Sequence, residues 1–372
     1  MKRPPVYACI AAGGTSGHVV PGLVVARELV ARGHATDEIL FLGSSRGIET
    51  RLVPEAGFVL EALPGRGIER KVSLAALGAI VGIIRGVVQG IGVIGRSRPK
   101  VVVILGGYAS VPAIVAAVVL RIPMVVVARD ARGGLADRLG GRFAKAVAVP
   151  FEGAELPKAV VTGNPVRPEV IAIDRAVDAA PARAKLDLPT DRVVVGVFTG
   201  SLGSRRVNEA VRLLADRWAD RRDVAIRHVI GTRDWDAFAA HLPTLPADGL
   251  VYQALPYEDH MEQMLAASDV VVSRAGGATV AELAVVGLPS ILVPLPIAPR
   301  DHQTANAESL VTAGAAIRVA DGEFDVDRLE RELQPLVTDP ARRASMAAAA
   351  RSVGHPDAGA RVADLVEKHA RP

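Results

Sequence analysis

Twice along this 372-residue chain, a run of β-branched residues ends in a glycine-rich turn that opens a helix. The first instance is residues 6–11, then Gly13-Gly14-Thr15-Ser16-Gly17-His18, then a helix from Pro21. The second is residues 193–198, then Thr199-Gly200-Ser201-Leu202-Gly203-Ser204, then a helix near Val207. Further short apolar runs stand at 38–42, 101–105, 124–127, 146–149 and 159–162, and after the restart at 225–230, 250–254, 270–273, 290–293 and 316–319. Near-continuous apolar strands separated by helical stretches specify parallel sheets covered on both faces. The expected fold class is α/β, with two Rossmann-like domains whose parallel sheets face each other across a cleft. The first domain is expected over 1–164 and the second over 190–350. A linker over 165–189 is stiffened by Pro165 and Pro168. A last helix within 351–372 follows.

Half of the residues are hydrophobic but only 3% are aromatic, so the cores must be aliphatic. The single cysteine, Cys9, lies inside the first apolar run and reads as a small buried hydrophobe, which excludes a disulfide framework. The first residues run straight into a strand without the apolar region and cleavage site of a signal peptide, and a cytoplasmic location is expected. A net charge of +4 suits phosphorylated substrates or acidic lipid. No helix-turn-helix, zinc module or aromatic-basic motif speaks for nucleic acid.

Residues 72–94 carry five glycines and Arg85 as the sole charge. The stretch approaches bilayer-spanning length, but an arginine at a helix centre costs about 2.5–3.5 kcal/mol on insertion scales. Gly78, Gly82, Gly86 and Gly90 recur every fourth residue, so one face is suited to close packing. The flanking Arg66, Arg70, Lys71, Arg96, Arg98 and Lys100 suit an anionic membrane surface. Buried packing and membrane docking both remain open, and they are compatible.

The turn at 13–18 lies where a parallel sheet exposes its ligand crevice, with helix N–H groups behind it. It has neither dinucleotide-fold nor P-loop spacing. His18, at a helix N-terminus, is biased towards the neutral, proton-accepting form. Ser201 in the second turn is a candidate holder of a diphosphate. In the run Ser273-Arg274-Ala275-Gly276-Gly277-Ala278-Thr279-Val280-Ala281-Glu282, glycines open a helix near Thr279. Glu282, one turn in, is placed to accept ribose hydroxyls. Asp301-His302-Gln303 follow a strand and suit sugar hydroxyls. No metal-ligand spacing of histidines and carboxylates is present.

Taken in order, Gly13 to His18 with Pro21-Gly22-Leu23, Phe41-Leu42-Gly43, Gly106-Gly107-Tyr108, Gly163-Asn164-Pro165-Val166-Arg167, Gly276 to Glu282 and Asp301-His302-Gln303 resemble the MurG family. These are the N-acetylglucosaminyltransferases of peptidoglycan synthesis, glycosyltransferase family 28, with a GT-B fold. The resemblance implies an inverting transfer from UDP-GlcNAc to a lipid-linked acceptor, with no cofactor and no obligatory metal. It implies donor contacts from Thr15, Ser16, Gly17, Arg167, Ser201, Gly277, Ala278, Thr279, Glu282 and Gln303. His18 is the implied base, with Asp130 second. Tyr108, Arg70, Lys71 and Arg85 are implied on the acceptor and membrane side. The implied location is peripheral, on the cytoplasmic face of the inner membrane, with cell-wall or division proteins as partners.

The chain departs from the family at Val127-Ala128-Arg129-Asp130, where a His-Glu-(Gln/Ala)-Asn run is expected, and at Thr199-Gly200-Ser201-Leu202-Gly203, where Gly-Gly-Ser-Gln-Gly is expected. The first change leaves two further readings open. One is transfer to another glycolipid or secondary metabolite, and the other is a non-catalytic protein that binds nucleotide sugar.

Overall fold

The computed structural model describes residues 5–63 and 74–372. The chain divides into two compact units, residues 1–167 with 356–372 and residues 168–355.

Unit 1 runs β1 (Ala8–Ala11), α1 (Ser16–Ala31), β2 (Ile39–Ser44), α2 (Glu49–Glu55), β3 (Val59–Leu63), α3 (Leu74–Ser97), β4 (Val101–Ile104), α4 (Ser110–Val119), β5 (Met124–Val127), α5 (Leu135–Phe143), β6 (Ala146–Val149) and β7 (Ala159–Val161). The seven strands form one parallel sheet in the order β3-β2-β1-β4-β5-β6-β7. Alternation along β1 shows why the strands are apolar throughout. Ala8 and Ile10 join the core under α1, while Cys9 and Ala11 join the core under α4. Burial pushes the Cys9 thiol up to about 12, as fits an inert packing residue.

β3 is absent from the sequence expectation. It lies at the sheet edge and is only partly buried, with Glu61 and Ala62 interrupting the apolar run. An edge strand needs no two-sided hydrophobic pattern, so it leaves a weak signal.

α3 packs on α4 through its glycines. A Cβ on Gly86 would fall 2.7 Å from Tyr108 Oη, and one on Gly90 would fall 3.0 Å from Pro112 Cβ. The expected close-packing face is therefore the α4 face. Arg85 and Val88 are exposed.

Unit 2 runs α6 (Pro168–Ile171), α7 (Arg175–Lys185), β8 (Val193–Phe198), α8 (Arg205–Arg217), β9 (Val224–Val229), α9 (Trp235–Ala239), β10 (Val251–Leu255), α10 (Met261–Ala267), β11 (Val270–Ser273), α11 (Gly277–Val286), β12 (Ser290–Leu292), α12 (His302–Thr312), β13 (Ala316–Arg318), α13 (Val326–Thr338) and α14 (Pro340–Ser352). Its six strands are parallel in the order β10-β9-β8-β11-β12-β13.

Residues 168–189, expected as a linker, are built into unit 2. Asp269 explains why: its carboxylate takes Arg183 Nη2 at 2.6 Å, Arg175 Nη2 at 3.1 Å and the Val194 N–H at 2.8 Å. Two arginines of α7 are thus tied to the sheet, and Ala182, Leu186 and Leu188 pack beneath them.

The chain then returns to unit 1 as α15 (Ala358–His369). Val362, Ala363 and Val366 are buried in the core shared with α1. At the rim, Arg32 Nη1 bridges Asp364 at 2.6 Å and Glu367 at 2.7 Å.

Candidate active site

In unit 1 the strand order reverses at β1, with β2 on one side and β4 on the other, and ligand crevices of open α/β sheets form at such a point. The turns after β1 and β4 meet there. Gly107 has φ +83°, and a Cβ on it would fall 2.0 Å from the Gly13 carbonyl oxygen, so this approach requires glycine. The neighbouring Gly106 lies against the His18 ring, with Cδ2 at 2.6 Å from its virtual Cβ. Glu49, fully buried at the start of α2, secures the first turn. Its carboxylate accepts from the Gly14 N–H at 2.9 Å and the Ser44 N–H at 2.7 Å. Sequence reasoning missed Glu49; its signal was an acidic residue shortly after a strand, close to Gly43 and Gly47.

α1 begins at Ser16, not at Pro21, so Pro21 stands inside the helix. Proline has no N–H to give the carbonyl four residues back, which leaves Gly17 O without its helical partner. Arg129 takes that place: its Nη1 donates to Gly17 O at 2.7 Å. The same guanidinium places Nη2 at 2.9 Å from His18 Nε2. A guanidinium only donates, so Nε2 is the acceptor and the proton sits on Nδ1. Nδ1 in turn donates to Thr15 Oγ1 at 3.0 Å. Burial first, and the Arg129 charge second, hold His18 down to about 3, with Asp130 opposing them. His18 is therefore neutral, in a fixed tautomer.

Asp130 Oδ2 lies 3.8 Å from Arg129 Nη2. Asn164 supports the loop from behind, its Nδ2 donating to Arg129 O at 2.7 Å. Asp137 on α5 accepts from the Gly134 N–H at 2.8 Å, and burial raises its carboxyl above the ordinary range.

In unit 2 the order reverses at β8, between β9 and β11. The turn at 199–204 leads into α8, which starts at Arg205 with Ser204 as its cap. Ser201 is exposed at the tip, and its carbonyl is fixed by the Thr232 N–H at 3.1 Å. Arg205 and Arg206, which follow the turn, pair with Asp234 at 3.0 Å and Asp321 at 3.4 Å.

Across the switch point, Arg274 is a structural clamp. It donates to Val293 O at 3.0 Å, Pro294 O at 3.1 Å and Ser204 Oγ at 2.8 Å. α11 begins at Gly277, two residues before the expected start, because Gly276 serves as its cap. Gly277, Ala278 and Thr279 are thus its first turn, and Glu282 lies in the second. That first turn holds no acidic residue, and the positive end of the helix dipole lies there.

Gln303, in the first turn of α12, uses its carboxamide oxygen to accept from Leu295 N–H at 2.9 Å and Ala275 N–H at 3.2 Å. Arg300 and Asp301 just before it are left-handed, at φ +57° and +53°, a strain that non-glycine residues carry where a loop is held in one shape.

The structure thus brings Thr15, Ser16, Gly17, His18 and Asp130 together in unit 1, and Ser201, Gly277, Ala278, Thr279, Glu282 and Gln303 on the same edge of the unit 2 sheet. Arg167 immediately precedes α6, which packs on α10 and α11. Tyr108 packs against α3, with its hydroxyl beside Gly86. Arg66, Arg70 and Lys71 lie outside the described residues. Among the described residues, no helix is long and apolar enough to cross a membrane, and no group of three or more His, Cys, Asp or Glu stands ready for a metal.

Residues 8–149 match the glycosyltransferase family 28 N-terminal domain and residues 194–365 its C-terminal domain. A protein of Acidothermus cellulolyticus named UDP-N-acetylglucosamine--N-acetylmuramyl-(pentapeptide) pyrophosphoryl-undecaprenol N-acetylglucosamine transferase is 38% identical over 366 residues, covering 98% of both chains. A protein of the same name from Clavibacter michiganensis subsp. michiganensis is 41% identical over 358 residues, covering 96% of this chain and 95% of that one.

The chain belongs to glycosyltransferase family 28.

The crystal structure of MurG from Acinetobacter baumannii superposes with a TM-score of 0.76 at 27% identity, over 98% of this chain and all of that one. The two parallel sheets are therefore those of the GT-B class, and the family 28 chain is a glycosyltransferase. Its departure at 127–130 now has a structural content. Ala128, where the resemblance implied glutamate, is buried, and Arg129 turns its guanidinium into the first glycine-rich turn.

Proposed function

We propose that this family 28 protein transfers N-acetylglucosamine from UDP-GlcNAc to the muramyl sugar of a polyprenyl-diphosphate-linked acceptor, with inversion at the anomeric carbon. The observation that carries the reading is the pair of switch-point sites in a chain of this family: a neutral histidine in the unit 1 turn and a helix N-terminus with no acidic residue in its first turn in unit 2. In this reading the α11 first turn and Ser201 hold the donor diphosphate, and Glu282 accepts the ribose hydroxyls. Gln303 gives its NH2 to the sugar, and Arg167 reaches the uracil end. The acceptor hydroxyl attacks the anomeric carbon, its proton passes to His18, and UDP leaves with the electron pair of the broken bond. Backbone N–H groups and the helix dipole stabilise the departing diphosphate without a metal. The proposed location is the cytoplasmic membrane face, with the exposed Arg85 and Val88 surface of α3 towards anionic lipid.

The test is transfer of labelled N-acetylglucosamine by the purified protein to the lipid-linked muramyl pentapeptide, alongside other lipid and small-molecule acceptors. A labelled disaccharide lipid and stoichiometric UDP are expected. His18→Ala lowers turnover roughly 100-fold or more while UDP affinity, read by calorimetry, stays within error. Transfer to a different acceptor alone would overturn the acceptor assignment, and undiminished turnover in the variant would remove His18 as base.

A further inference from the structure

We propose that Arg129 is a latch on His18, closed in the free protein and drawn off by the diphosphate of a bound substrate, so that the base is unmasked only when an acceptor is in place. The inference rests on the reading of His18 as the base.

Three observations carry it. First, neither ring nitrogen of His18 is open to a hydroxyl proton: Nδ1 already bears one and gives it to Thr15, and the Nε2 lone pair is held by Arg129 Nη2 at 2.9 Å. A base in this state is inactive until the guanidinium moves. Second, the guanidinium is held by neutral acceptors. Gly17 O and the imidazole take its hydrogen bonds, and the Asp130 carboxylate stands at 3.8 Å, beyond hydrogen-bond reach. A phosphate offers two oxygens in the fork geometry that a guanidinium prefers, and such charge-assisted pairs are about twice as strong as neutral ones. Third, the group is within reach of a ligand, its side chain being 20% exposed at the crevice. Pro21 matters here, because a residue with an N–H would have claimed Gly17 O and left the guanidinium one anchor fewer.

The groups facing His18 are known from each element around it. The β5–α5 loop brings Arg129 and Asp130, and α5 brings Asp137, which senses both. The turn after β1 brings Thr15, the turn after β4 brings Gly106 without charge, and Glu49 is occupied with Gly14 and Ser44. Among the described residues Arg129 is the one cation acting on the ring, so its removal leaves Asp130 favouring the imidazolium. With the latch open, the acceptor oxygen bonds to the anomeric carbon, the bond from that carbon to the diphosphate breaks towards UDP, and the hydroxyl proton passes to Nε2.

The experiment is a pH titration of the His18 ring nitrogens by long-range proton–nitrogen NMR on the full chain, assigned by the signal lost in His18→Gln. The free wild-type protein should show the Nδ1–H form with no titration between pH 5 and 8. A short-chain prenyl diphosphate should raise the midpoint, because the Arg129 charge leaves the ring while burial remains. UDP, the other source of a diphosphate, is the second arm, and a response to UDP but not to the prenyl compound would overturn the acceptor-driven latch. In Arg129→Met the midpoint should already lie above that of wild type without any ligand, burial still holding it below the ordinary value, and should respond no further to diphosphate. Arg129→Lys, which keeps the charge without the fork, should fall between and serves if the Met variant misfolds. Equal titration in free wild type and Arg129→Met, or a wild-type ring that ignores both diphosphates, would overturn the proposal. None of these readouts needs sugar transfer, so failure of the assigned reaction and failure of the latch are separately visible. In turnover, the acid limb should appear in kcat but not in kcat/KM for wild type, and in both for Arg129→Met.

Discussion

At the scale of single residues, two histidines are kept neutral chiefly by burial and give the protein a common acid sensitivity. His18 is masked at the crevice, whereas His228 on β9 is fully buried. Its Nε2–H donates to Asn208 Oδ1 at 3.1 Å, and its Nδ1 accepts from Tyr252 Oη at 2.9 Å. Burial holds His228 down to about 3, as it does chiefly for His18. Above pH 6.5 neither folded nor unfolded histidine binds a proton, so stability is unaffected. Below it the unfolded state binds protons that the native state refuses, and unfolding free energy falls by about 1.4 kcal/mol per histidine for each pH unit, down to about pH 3. Urea unfolding at pH 7, 6 and 5 should show this loss, and His228→Gln should flatten the part belonging to unit 2; an unchanged slope would refute the assignment. His18 itself was legible in the sequence from its place in the turn. Its partner was not, because Arg129 lies 111 residues away and reaches the ring through a carbonyl that Pro21 leaves open. No local pattern encodes that meeting.

At the scale of elements, strands buried on both faces were readable to within a residue or two, since continuous valine and isoleucine runs have few other uses. Edge strand β3 and the true starts of α1 and α11 were not, because half-exposed strands carry no two-sided pattern and glycine or threonine caps look like more turn. The glycine spacing in α3 was readable as a packing face, and the structure supplies its partner in Tyr108 and Pro112. The consequence is a contrast between neighbouring glycines. Gly90→Val must displace Pro112 and should lower stability by about 1–3 kcal/mol. Gly92→Ala meets only the end of Arg96, at 3.4 Å, and should raise stability by about 0.5–1 kcal/mol through helix propensity. Chemical denaturation of the two variants decides the matter, and equal effects would argue against the close α3–α4 contact.

At the scale of the whole molecule, the repeated strand–turn–helix opening was enough to read two sheets, but the border between them was misread. The alanine-rich, charged stretch at 172–186 reads as a surface helix or a linker, and it is the helix α7, two of whose arginines Asp269 binds. With the donor proposed on unit 2, UDP at about 100 times its Kd should add about 2.7 kcal/mol to that unit's stability. Calorimetry is expected to resolve two transitions of which UDP moves one, and Glu282→Ala should weaken UDP roughly tenfold, equivalent to about 1.4 kcal/mol. A shift of both transitions would contradict this assignment. The return of α15 to unit 1 carries a consequence of another kind. Unit 2 is one uninterrupted stretch, whereas unit 1 needs Val362, Ala363 and Val366 to cover the face shared with α1. During synthesis the ribosome therefore delivers a complete unit 2 while one flank of the earlier-made sheet is still bare. The first unit begun is thus closed after the second, and its aliphatic flank stays uncovered until α15 has been made.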